Sequence, residues 1–193
     1  MEIKETAKKY TYADYAKIDD DKRYEVIDGT VYLMSPGPVQ SHQVISGELF
    51  GQLWSFLRGK LCMVFSAPFD VCLNAEGDND RTVVQPDIIV VCDMSKLDGK
   101  RCNGAPDLII EILSPSNRKH DMLRKFDKYL KSGVREYWIV DPEDKFITVY
   151  ILKEGKYIAR VYGEENEDEF VPVHVLDGCR IVLKDVFDSV LVE

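Results

Sequence analysis

The sequence predicts a mixed α/β fold: a sheet of covered strands with helices packed against it. Three observations lead there. Residues 83–92 and 108–113 are continuous apolar, β-branched runs, which suits strands covered on both faces. Residues 41–58 and 118–132 repeat their apolar side chains at helical spacing. A hairpin precedes this core and an antiparallel meander follows it. With 193 residues, 45% hydrophobic and 31% charged, the chain is expected to form one folded domain over 1–193.

The elements follow in order. Residues 10–20 are amphipathic and predict a short helix. Tyr24-Glu25-Val26-Ile27 and Thr30-Val31-Tyr32-Leu33-Met34 are strand-like, and Asp28-Gly29 joins them. That pair suits a two-residue hairpin turn, because both turn positions need positive φ. Residues 35–38 end the second strand. In the first long helix Ile45, Leu49, Leu53 and Phe56 line one face, and Gly59 closes it. Residues 62–73 read as a strand bent at Pro68, and 76–81 as a polar loop. The two covered strands come next, with a loop over 93–107 between them. Ser116 and Asn117 are candidate N-caps for the second helix, which Gly133 ends. Residues 136–140 read as a strand ended by Asp141-Pro142. Residues 146–152, 156–162 and 180–183 read as the meander, interrupted by an acidic loop over 164–169.

Two carboxylates stand where charge is expensive. Glu111 lies inside a run of Ile and Leu, and Asp87 heads Ile88-Ile89-Val90-Val91. On neighbouring strands they could converge on one hard cation, and oxygen-only ligation suits Mg2+ or Mn2+ better than zinc. Asp107 competes for the role. It lies four residues before Glu111, roughly 13 Å along a strand, so it reads as the residue where that strand begins. On the following helix Leu123, Phe126 and Leu130 centre the apolar face, and Lys125 is the lysine nearest its edge. Lys125 can lean towards Glu111, where a cation could act on a water or stabilise charge on a phosphate. Plainer readings stand beside these: a surface ion pair of Lys125 with Asp121, a structural buried pair for Glu111, and a hydrogen-bonded structural role for His42.

Residues 106–142, PDLIIEILSPSNRKHDMLRKFDKYLKSGVREYWIVDP, resemble the signature of the Uma-two family of restriction-endonuclease-like proteins. QPDIIVVCD at 85–93 and RYEVIDGTVYLMSP at 23–36, with His42 after it, resemble that family's preceding strand and N-terminal hairpin. The likeness covers about residues 10–185. It implies a restriction-endonuclease-like mixed sheet with a nuclease core over about 41–142. It also implies a PD-(D/E)XK site in which an Asp and a Glu on adjacent strands bind metal and a Lys follows two residues after the Glu. Asp87 and Glu111 match the acids. Leu113 stands at the lysine position, and the resemblance allows a migrated lysine on the next helix, here Lys125. Glu25 matches a position of the family pattern and is implied as an accessory acid. Gln85 shares the face of Asp87 by alternation and could line the site. The implied activity is metal-dependent hydrolysis of phosphodiesters, with DNA as the first substrate and a homodimer by analogy with related folds. The alternatives are a nuclease fold that binds or assembles without cutting, and a phosphoesterase of small molecules.

Composition tempers that picture. The net charge is -9, from 34 acidic and 25 basic side chains, which argues against strong nonspecific attraction to nucleic acid but not against a local basic groove. No run reaches the ~18 apolar residues of a membrane span, and no signal-peptide core heads the chain, so the cytoplasm is the expected location. The five cysteines, Cys62, Cys72, Cys92, Cys102 and Cys179, form no C-x-x-C pair and are expected to be buried free thiols.

Overall fold

The computed structural model describes residues 8–34, 39–114, 120–163 and 166–188, without the side chains of 120–123. The helix caps proposed at Ser116 and Asn117, the strand end at 35–38, part of the acidic loop and the side chains of Asp121 and Leu123 fall outside these residues.

A short helix, α1 (Tyr12–Tyr15), opens the described chain. Thr11 caps it: its hydroxyl accepts from the Asp14 N–H while the Asp14 carboxylate accepts from the Thr11 N–H. The hairpin follows as β1 (Tyr24–Ile27) and β2 (Thr30–Leu33), with Asp28 at φ 52° and Gly29 at φ 78°. Both turn residues therefore take the left-handed conformation that Asp-Gly tolerates best. Helix α2 (Gln40–Leu57) buries His42, Ile45, Leu49, Leu53 and Leu57 along one side.

Two expected strands are each split in two. The strand expected over 62–73 is two strands, β3 (Met63–Ser66) and β4 (Asp70–Cys72). The run at 83–92 is likewise β5 (Val83–Val84) and β6 (Ile88–Val91). Each run contains a proline, Pro68 or Pro86, which cannot donate to a ladder. The chain passes between two sheets at these points. One sheet has the order β2-β1-β5-β4-β7, where β7 (Arg101–Asn103) pairs in parallel with β4 inside the segment expected to be loop.

The larger sheet runs β11-β10-β9-β8-β6-β3, where β8 is Leu108–Ile112, β9 Glu136–Asp141, β10 Phe146–Lys153 and β11 Lys156–Gly163. Its centre is a βαβ unit of β8, α3 (His120–Ser132) and β9, with β8 and β9 parallel. The meander continues as β10 and β11. A separate pair, β12 (Phe170–Pro172) and β13 (Arg180–Val182), leads into α4 (Leu183–Asp188), a helix the sequence reading did not anticipate.

The large sheet is covered on both faces, as its apolar runs require. Leu108, Ile110 and Ile112 of β8 join Ile45, Leu49 and Leu53 of α2 in one core. Ile109 joins Tyr129 of α3 and Tyr137 of β9 in the other. The thiol expectation is corrected in part. Met63 pairs with Val91, so Cys62 and Cys92 lie one register step beyond, and they form a disulfide. Cys72, Cys102 and Cys179 are buried free thiols, as expected. No described helix is long and apolar enough to cross a membrane.

Candidate active site

Alternation along β8 decides where Glu111 points. Ile110 and Ile112 turn to the α2 side, so Glu111, between them, shares the α3 side with Ile109. β6 runs antiparallel to β8 with Ile88 opposite Ile110. One step further in that register, Asp87 stands opposite Glu111, and directly opposed residues share a face. Asp87 and Glu111 therefore stand at neighbouring positions, Asp87 just outside the paired part of β6. Asp87 lies just before β6, where its Oδ2 accepts the Ile112 N–H at 2.8 Å and completes the ladder that β6 leaves open. The same oxygen lies 3.2 Å from His42 Nε2 at the start of α2. His42 thus has the hydrogen-bonded role its position suggested.

Glu111 is held from the helix side. Lys125 Nζ donates to its Oε1 at 3.0 Å and the Tyr129 hydroxyl to the same oxygen at 2.6 Å. Lys125 also pairs with Glu25 Oε1 at 2.8 Å. The lysine is 6% exposed, so it belongs to a buried cluster rather than to a surface pair on its own helix. Glu25 comes from β1 of the smaller sheet, and its Oε1 also accepts the Gln85 backbone N–H at 2.9 Å. The cluster therefore ties the two sheets and α3 together.

These contacts set the charges. Burial pushes the Glu111 carboxyl up; Lys125 opposes the shift, while Asp87 and Glu25 add to it, and the net result is an apparent value of about 7. Burial disfavours the Lys125 cation, but Glu111 and Glu25 outweigh it and hold the ammonium well above its ordinary range. His42 is pulled down by burial, yet the bond to Asp87 and the charges of Asp87 and Glu111 leave it above its ordinary 6.5. Burial pushes the Tyr129 phenol well up, so it stays a donor.

The Asp87 and Glu111 side chains both offer carboxylate oxygen, the donor type a hard divalent cation prefers. Among the described residues, Asp87 Oδ1 and Glu111 Oε2 accept no hydrogen bond, while their sister oxygens are fixed by donors. The side chains keep 21% and 15% of their surface exposed, so solvent reaches them. No group of three or more ligating side chains occurs among the described residues. Mg2+ keeps several waters and is commonly held through one or two carboxylates together with substrate phosphates, the kind of role Asp87 and Glu111 could take.

Gln85 lies apart from this role. Its side chain bonds Arg23, Tyr15 and Asp70 rather than either acid. Asp107 accepts the Cys92 N–H and pairs with Arg135 at the other end of β8, consistent with a residue that begins the strand. Tyr129 was missed as a site residue, although its place four residues after Lys125 on one helix face was a usable signal. The chain Asp70–Gln85–Arg23 carried no such signal, because its members lie 15 and 62 residues apart.

A mixed α/β sheet flanked by helices, as here, is the architecture of the restriction-endonuclease-like class. The chain belongs to the Uma2 family, described as "Putative restriction endonuclease", whose model matches residues 11–184. The crystal structure of a "putative nuclease belonging to DUF820" from Anabaena variabilis shares the fold, with a TM-score of 0.74 and 24% identity over 94% of this chain and 99% of that one. Uncharacterized protein slr1290 of Synechocystis is 27% identical over 130 residues, which span 67% of this chain and 66% of that relative.

Proposed function

We propose that this protein is a metal-dependent endonuclease that hydrolyses phosphodiester bonds of nucleic acid, DNA first, using Mg2+ or Mn2+ held by Asp87 and Glu111. The observation that carries the reading is the pair of Asp87 and Glu111 carboxylate oxygens that accept no hydrogen bond among the described residues, with the buried Lys125 ammonium on Glu111. Bound there, the cation would supply Lewis acidity towards a phosphoryl oxygen and a more acidic water. The chain's own residues do the rest. Lys125 is protonated, so it serves as a cation and donor that orients water and offsets phosphate charge, not as a base. Glu25 anchors Lys125 from the second sheet, and Tyr129 fixes the rotamer of Glu111. The lysine absent at Leu113 is thereby replaced from α3.

The test is cleavage of plasmid DNA and of RNA with either metal. Wild type cuts; Glu111→Ala does not, and Lys125→Met retains metal but cuts roughly 10²–10³-fold more slowly. A homodimer would set two such sites against the two strands of a duplex. Sedimentation equilibrium should then give twice the 22.1 kDa chain mass, and the mass of a single chain would contradict it.

A second reading has its own support. Lys125 already bridges Glu25 and Glu111, as a purely structural pair would, so a fold that binds without cutting is the rival. The charge of -9 would suit a small-molecule phosphoesterase. Metal binding without cleavage of any DNA or RNA favours the first, and turnover of a simple phosphodiester alone favours the second.

A further inference from the structure

We propose that Arg23 and Arg124, which flank the acid cluster, grip backbone phosphates of the nucleic acid, and that Gln85 is the positioning residue for Arg23. The inference rests on the nuclease reading of the same site and goes on to name how a chain of charge -9 holds a polyanion.

Arg23 lies two residues before Glu25 on an extended segment, about 7 Å away along the backbone. It is exposed, yet its guanidinium is fixed. Nε and Nη2 both donate to Gln85 Oε1, at 2.9 and 2.8 Å. Gln85 is itself pinned, because its Nε2 donates to Asp70 Oδ1 at 2.8 Å and to the Tyr15 hydroxyl at 2.9 Å. Among the described residues Arg23 makes no salt bridge and its Nη1 no hydrogen bond. A fork held this way is preorganised for an oxyanion.

Arg124 precedes Lys125 on α3. Its guanidinium stacks on the Tyr32 ring at 4.6 Å, and Tyr32 stands opposite Glu25 in the hairpin. It too is exposed and makes no salt bridge among the described residues. Lys128, one turn further on, is by contrast neutralised by Asp28 at 2.6 Å. These two guanidinium groups, without an acidic partner among the described residues, thus border the buried cluster, one along β1 and one across the hairpin. Placed there, they would fix phosphates beside the scissile one and carry no sequence preference of their own.

The experiment is fluorescence anisotropy with labelled duplex DNA and single-stranded DNA in calcium buffer, over a salt series. Each lost phosphate contact should lower the slope of log affinity against log salt by about 0.9 on duplex and about 0.7 on single strands. Arg23→Ala and Arg124→Ala should each do so, with weakening that is uniform across sequences. Arg23→Lys and Arg124→Lys should keep the slope, which separates charge from folding. Gln85→Ala should weaken binding in wild type and add nothing to Arg23→Ala, since both remove the same placed fork. Unchanged slopes in both alanine variants, or no binding by wild type, would overturn the inference. A wild type that binds with these slopes but never cuts would sink the nuclease reading instead.

Discussion

At the scale of single residues, the site is a problem of buried charge. Lys125 has two acidic partners within 3.0 Å, and neither Glu25 nor Glu111 has another cation among the described residues. Replacing the lysine by methionine preserves bulk but strands two carboxylates in a low-dielectric cluster. Urea unfolding should show a loss of roughly 3–5 kcal/mol for Lys125→Met at neutral pH. The pH dependence has a definite sign. In the metal-free protein Glu111 is raised from its ordinary 4.5 to about 7. Between those values the folded state binds more protons than the unfolded one, so the Glu111 contribution to stability falls as pH rises through that window. The stability difference between wild type and Glu111→Gln, measured with chelator, should shift against the wild type from pH 4.5 to 7 and level off above. Lys125 behaves oppositely in range: its contribution is complete below its ordinary 10.5 and is lost only in stronger alkali. A flat difference curve would mean that the Glu111 carboxyl is not raised in the folded protein. Glu111 and Asp87 were legible in the sequence because a carboxylate in an apolar run must find a partner. Lys125 was legible because a helical wheel puts it at the apolar edge.

At the scale of elements, type was easier to read than destination. The hairpin, both long helices and the central strands follow from turn chemistry and periodicity. The splitting of 62–73 and 83–92 between two sheets does not. Pro68 and Pro86 mark where a ladder must stop, but a proline says nothing about which sheet the chain joins next. β7 is three residues long and borrows its pairing from β4, 31 residues earlier at Asp70↔Arg101, so no local period announces it. The disulfide belongs here too. Cys62 and Cys92 are 30 residues apart, and only the β3–β6 register shows that they are neighbours. Titration of the denatured, unreduced protein should find three reactive thiols, those of Cys72, Cys102 and Cys179; five would contradict the pairing.

At the scale of the whole molecule, the acid cluster is where three layers meet. β1 of the small sheet supplies Glu25, the large sheet supplies Asp87 and Glu111, and α3 supplies Lys125. The fold class was legible as a mixed sheet under helices, and the family match over 11–184 agrees with it. The joining of two sheets at the site was not, because it depends on pairings across most of the chain. The net charge of -9 is compatible with a polyanionic substrate only if the cation and the flanking arginines offset the acids locally.

Everything functional depends on Asp87 and Glu111 sharing one ion. Isothermal titration with Mn2+ tests this most directly, on wild type, Asp87→Asn and Glu111→Gln. One ion should bind per chain in wild type, with about a tenfold or greater loss of affinity in each variant. Binding of equal strength in all three proteins would contradict the shared site.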